Sequence, residues 1–226
     1  MGRRRVLLTS CAVVLLCLTI ILGMTWALFT DHAIIEHHLI AGDLNVTLKR
    51  VELDRDALDD KGFLVTYDTD KTVKDFTNPT KDNIFDLKDG DKVVPECKYV
   101  AKMQIENLSD VAFGYWIEIV CTDKSKGEEL AKQLRVTVDT TVDDDEDDSA
   151  IARVGDGLVV KGEDGDYLDV LAIGEKEYFT VCVEFLDSFK YEDFLGGYFA
   201  NDKAQGQNLA FDLVVHAVQV TENPNP

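Results

Sequence analysis

Histidines, cysteines and dense runs of carboxylates are the residues of this chain whose chemistry could serve a site. The histidines are His32, His37, His38 and His216. Two imidazoles reach one zinc ion from a helix in the pattern His-Glu-x-x-His, which leaves the glutamate as base. That pattern is absent. The inverted form, His-x-x-Glu-His, is missed by one residue in His32-Ala33-Ile34-Ile35-Glu36-His37. On an extended segment His32 and His38 point one way and His37 the other, so the three do not converge. His216 alternates with apolar neighbours, as an ordinary sheet residue does. No Gly-x-Ser-x-Gly elbow and no phosphate-binding glycine loop occurs. The reading is therefore a non-enzyme, with no catalytic residue and no organic cofactor.

The carboxylates suit a hard cation better. Calcium wants several oxygen ligands. Asp143, Asp144, Asp145 and Asp147 lie in one acidic run, and Asp164 and Asp166 flank Gly165. Neither stretch has the glycine and terminal glutamate of an EF-hand loop, so the expectation is weak, surface-type calcium binding beside a mainly solvating role. Cys97, Cys121 and Cys182 lie beyond residue 27, at spacings unlike a zinc site. Two arrangements stay open: one disulfide with one thiol left over, or three separate thiols.

The 226 residues carry a formal charge of −20, and loss of the first 27, which hold Arg3, Arg4 and Arg5 and no acid, takes this to −23. Such a surface repels nucleic acid and anionic lipid. Hydrophobic residues make up 46%, enough for a core. The arginines precede an uncharged run from Val6 to Thr30. Positive flank, apolar stretch and the small residues Thr25 and Ala27 read as a secretory signal, cut between Ala27 and Leu28. Left uncut, the run is long enough to anchor the chain in a membrane with its acidic part outside.

These residues must be positioned mainly by strands. Alternating apolar positions mark Leu44–Leu48, Tyr99–Ile105, Phe113–Cys121, Phe179–Phe185 and Leu209–Ala217. The short polar link Asn107-Leu108-Ser109-Asp110 predicts an antiparallel hairpin of the second and third. A helix is expected over Lys124–Leu134, with acids at its start and bases at its end, and a short helical turn over Ser188–Leu195. The expected fold is all-β, a jelly-roll-like antiparallel β-sandwich with one or two short helices, over residues 28–226.

The stretch from Gly23 to Leu48 contains Thr25-Trp26-Ala27-Leu28-Phe29-Thr30-Asp31 and then Ala41-Gly42-Asp43-Leu44-Asn45-Val46-Thr47-Leu48. It resembles the junction of exported proteins cut by the SipW-type signal peptidase, to which the TasA/camelysin family of biofilm fibre subunits belongs. Some members carry a metallopeptidase label, for which no zinc motif is found here. The resemblance implies a secreted, cell-surface jelly-roll protein that self-associates head to tail, by adding its freed N-terminal strand to a neighbour, alongside other matrix proteins. Contact with the membrane would then come only through the signal segment. Carried over, the donor is Leu28 to about Leu39, with Phe29, Ala33, Ile34, Ile35 and Leu39 as its apolar contacts. From the residues alone, this segment needs a groove, either on a neighbour or as an edge strand of its own sheet. A non-polymerising secreted or anchored acidic binding module is the alternative.

Overall fold

The computed structural model describes residues 27–37, 44–58, 64–78, 83–87, 93–140, 149–162, 165–187, 204 and 206–220. The run of Arg3 to Thr25, the aspartates from Asp143 to Asp147, Asp164, Leu39, and the turn expected at Ser188–Leu195 lie outside them. Among the described residues there are twelve strands: β1 (Ala27–His37), β2 (Val46–Leu58), β3 (Leu64–Thr66), β4 (Lys74–Asp75), β5 (Lys98–Asn107), β6 (Phe113–Cys121), β7 (Leu134–Asp139), β8 (Ala150–Arg153), β9 (Leu158–Val160), β10 (Asp169–Leu171), β11 (Lys176–Phe185) and β12 (Gln207–Gln219). Among the described residues the α-helix is α1 (Glu128–Gln133).

The strands form an all-β sandwich. One sheet runs β1-β12-β6-β10, with β9 also on β6; the other runs β3-β2-β5-β11-β7-β8, with β4 also on β2. The chain changes sheets from β1 to β2, β5 to β6, β6 to β7, β8 to β9, β10 to β11 and β11 to β12. That wrapping is jelly-roll-like. Both sheets turn their alternating apolar rows inward. Tyr99, Ala101, Met103, Ile105, Phe179, Val181, Val183 and Phe185 of one sheet share a single buried core with Phe113, Tyr115, Ile117, Ile119, Leu209, Phe211, Leu213, Val215 and Ala217 of the other. Each such side chain contributes about 1.5–3 kcal/mol by leaving water.

Two expectations are corrected here. β5 and β6 are not a hairpin, because they belong to different sheets. Their apolar rows bury each other across the sandwich instead of side by side. The link between them is built on the buried Asn107. Its Nδ2 donates to the carbonyls of Val111 (2.9 Å) and Leu171 (3.0 Å), and its Oδ1 accepts from the Ser109 N–H (2.8 Å). The helix is also shorter than expected. Lys124–Lys126 is a 3₁₀ turn, α1 ends at Gln133, and Leu134 opens β7. Gln207 at the head of β12 supplies the missing cap, its Oε1 accepting from the N–H groups of Glu129 and Leu130, each at 3.0 Å. Leu134 is fully buried as a strand residue, and that packing outweighs helix propensity.

A bulge in β2 creates a second buried polar feature. The register against β5 shifts between Arg50 and Glu52. Val46, Leu48 and Arg50 are buried before it and Leu53 after it. The extra residue resets which side chains face inward. Arg50 is thereby fully buried. Its guanidinium donates to the Ile84 carbonyl at 2.6 Å and to Asp86 Oδ2 at 2.7 Å, while Lys74 binds the other Asp86 oxygen. Burial alone would raise the Asp86 carboxyl, but the hydrogen bonds and charges of Arg50 and Lys74 outweigh it and hold it below the usual aspartate range.

A depressed carboxyl stabilises the fold above its unfolded pKa, and that stability is lost as pH falls through the folded value. Asp86→Ala leaves a buried guanidinium without its counter-ion, so urea denaturation at pH 7 should show a loss of about 3–5 kcal/mol. The gap between wild type and Asp86→Ala should begin to close as pH falls below the usual aspartate range and go on closing through the lower folded value, where the folded-state carboxylate takes up its proton.

Candidate strand-addition edge

β12 is the strand on which the candidate site rests. Its inward row is Leu209, Phe211, Leu213, Val215 and Ala217; its outward row is Ala210, Asp212, Val214, His216 and Val218. Along one edge it pairs antiparallel with β6, from Phe211 opposite Cys121 to Gln219 opposite Phe113. Along the other it pairs with β1 in parallel, from Ala27 opposite Gln207 to His37 opposite Ala217. Every other strand pairing among the described residues is antiparallel.

This register locates the residues expected to mediate assembly. Ala27 and Leu28, the expected cleavage junction, stand opposite Gln207 and Asn208, at the end of the sandwich that carries α1. Phe29, Ala33 and Ile35 stand opposite Leu209, Leu213 and Val215 of the inward row, and Ile34 opposite Val214 of the outward row. Within one chain, then, the N-terminal segment is an edge strand of its own sheet, one of the two placements its apolar character allowed.

The outward row of β12 is unusually covered for the outer face of a sheet. Val214 is 6% exposed and His216 is 7% exposed. The His216 imidazole stacks on Trp116 of β6, with ring centres 4.6 Å apart and planes 7° apart. Its Nε2 lies 2.8 Å from Glu118 Oε2, and the Lys161 ammonium sits 4.8 Å from the Trp116 ring centre. His216 is thus a packed, hydrogen-bonded sheet residue. His32 and His37 occupy positions of opposite parity on β1, and His38 lies outside the described residues.

Behind this edge, Tyr115 ties the two sheets together. It stands opposite Ala217, is fully buried, and its hydroxyl donates to Glu177 Oε2 of β11 at 2.7 Å. Burial raises the Glu177 carboxyl to about 7; the Tyr115 hydrogen bond opposes that rise, and Asp169 and Glu175 reinforce it. Burial and the charge of Glu177 push the Tyr115 hydroxyl up as well.

The remaining expected site residues are scattered. Asp166 is exposed beside Gly165. No group of three or more His, Cys, Asp or Glu side chains among the described residues is arranged to hold a metal ion. Cys97 precedes β5, Cys121 ends β6 and Cys182 lies within β11, and no disulfide joins them. Burial raises the thiols of Cys97 and Cys182. Sequence reasoning missed Trp116, Glu118, Asp212 and the Tyr115–Glu177 tie. Only the first three carried a signal, as polar or aromatic positions on the outward parity of strongly alternating strands. No protein-family model matches the chain, and no curated protein matches it with significance.

The raised Glu177 carboxyl gives the fold a second pH dependence, opposite in sign to that of Asp86. An acid whose folded pKa exceeds its unfolded value costs stability as pH rises between the two. Thermal or urea melts should therefore weaken from about pH 4.5 to about pH 7 and then level off. Glu177→Gln should flatten that slope and gain on the order of 1–3 kcal/mol at pH 8 relative to wild type.

Proposed function

We propose that this chain is a secreted, acidic structural subunit of an extracellular fibre or matrix, and that it assembles by laying its N-terminal strand on the β12 edge of a neighbouring copy. One observation carries the reading. β1 is the first strand of the described residues and lies at a sheet edge, and among those residues its parallel pairing stands alone. It can leave without unthreading any other element. Its departure opens the backbone N–H and C=O groups of β12 along eleven register positions. An open edge of that kind accepts another strand. Another copy's β1 fits it as well as its own, and a donor that serves the next subunit instead of closing on itself builds a filament.

The junction Thr25-Trp26-Ala27-Leu28-Phe29-Thr30-Asp31, with its resemblance to the TasA/camelysin group, supports release of β1 by signal cleavage after Ala27. The charge of −20 supports a soluble surface subunit whose partners are other copies and matrix proteins, with weak calcium binding at its acidic loops. The role is structural, not catalytic. The cis pairing of β1 favours a second reading, a self-complemented binding module, secreted or anchored, that does not polymerise.

Electron microscopy of the purified chain, with and without residues 28–39, separates the two. Fibre formation by the intact chain and its loss on deletion is the expected result. Fibres that persist without residues 28–39 would overturn strand donation, and a chain that stays monomeric at high concentration would leave the binding-module reading.

A further inference from the structure

Along the edge away from β12, β6 is covered among the described residues by the three-residue strands β9 and β10. β10 meets it only at Phe113–Tyr115. The two ends of this short strand are held differently. At the far end Leu171 is buried, and its carbonyl accepts from Asn107 Nδ2 at 3.0 Å. The turn that follows is closed by the Ala172 N–H on Glu175 Oε2 at 2.7 Å. At the near end the Leu168 N–H donates to the Tyr115 carbonyl at 2.6 Å. There the Tyr167 ring lies so close over Gly114 that a Cβ would come within 2.4 Å of it. Next to these contacts stands Asp169, an exposed residue whose carboxyl is hydrogen-bonded to Glu177 of β11.

Two ionised carboxylates cannot make that bond, because both are acceptors only. Tyr115 already donates to Glu177 Oε2 at 2.7 Å. Glu177 therefore completes the contact by keeping its own proton and donating it to Asp169. In that state one carboxyl group joins β6, β10 and β11.

We propose that Glu177 latches Tyr167–Leu171 as a strap on the edge of β6, closed while its carboxyl holds the shared proton and loosened when that proton leaves, with Leu171 as the hinge. When the proton goes to water, the bond to Asp169 gives way to repulsion between two carboxylates, and Glu175 adds a third negative charge nearby. Ile105, opposite Glu177 on β5, and Ala217, opposite Tyr115 on β12, are neutral. Lys176, the adjoining cation, binds Glu106 instead, at 3.1 Å. Burial and the neighbouring carboxyls bring the closed-state Glu177 to about 7. In an open strap it faces water and returns to the ordinary glutamate range. The closed form is thus favoured most in acid, loses ground from that range up to about pH 7, and changes little above it.

No residue of β1 enters this inference, so it stands or falls apart from the strand-addition reading. Its test is amide hydrogen exchange of the full chain at pH 5, 6, 7 and 8, corrected for intrinsic rates. The Leu168 amide reports the strap. The Val181 amide, in a strand paired on both sides, reports global opening. In wild type Leu168 should be less protected than Val181 at every pH. Its protection should fall about tenfold from pH 5 to pH 7 and less than about twofold from pH 7 to pH 8. Glu177→Gln keeps an acceptor for Tyr115 and a donor for Asp169 without a charge, and should hold Leu168 protection flat at or above the wild-type pH 5 value. Asp169→Asn removes the repelling carboxylate and offers a donor to ionised Glu177, so protection at pH 7 should stay within about threefold of its pH 5 value. Leu168 exchanging as slowly as Val181 would mean that no separate strap opens, and overturns the proposal. A Glu177→Gln or Asp169→Asn profile that falls like wild type overturns the latch.

Discussion

The edge of β12 that pairs with β1 is the constraint on which this architecture turns. A thirteen-residue strand with a buried inward row and a largely covered outward row sits in the middle of its sheet's hydrogen-bonding order, not at a margin. β6 satisfies one side of its backbone. The other side demands a partner strand, because unpaired peptide groups beside buried apolar rows are expensive. The chain meets that demand with its own N-terminal segment, running parallel.

Rigid support for that edge comes from behind and from both ends. Gln207 couples the head of β12 to α1. Gly127, just before α1, approaches so closely that a Cβ there would lie 2.3 Å from the Asn208 carbonyl oxygen. At the other end, Tyr115 joins the sheet of β12 to Glu177 of the opposite sheet, and Asn107 gathers the turns that carry the chain between sheets. This edge of β12 is held in shape by contacts that do not involve β1.

Two buried ionisable features pull the pH dependence in opposite directions. Asp86 beside Arg50 works best ionised, while Glu177 beside Tyr115, Asp169 and Glu175 works best neutral. Both sit in an acidic chain, where each added negative charge near a half-buried carboxylate is felt. The Asp86 contribution is complete above the ordinary aspartate range and the Glu177 cost accumulates from there to about pH 7, so these two groups together favour mildly acidic solution over neutral.

The strands were legible in the amino-acid order because alternation is a local property. Tyr99–Ile105, Phe113–Cys121, Phe179–Phe185 and Leu209–Ala217 each show their buried face by parity alone. The need of Phe29 to Ile35 for a partner was legible in the same way. Pairing was not. Whether β5 and β6 lie side by side or face to face depends on which arrangement buries both apolar rows at once, and a bulge such as that after Arg50 shows itself only against a neighbouring strand. The Tyr115–Glu177 bond spans 62 positions of chain, and the β1–β12 pairing joins strands from opposite ends of the described residues. Local order determined which faces had to be hidden; only the tertiary structure decided what hides them, because register is settled by the summed fit of two distant strands.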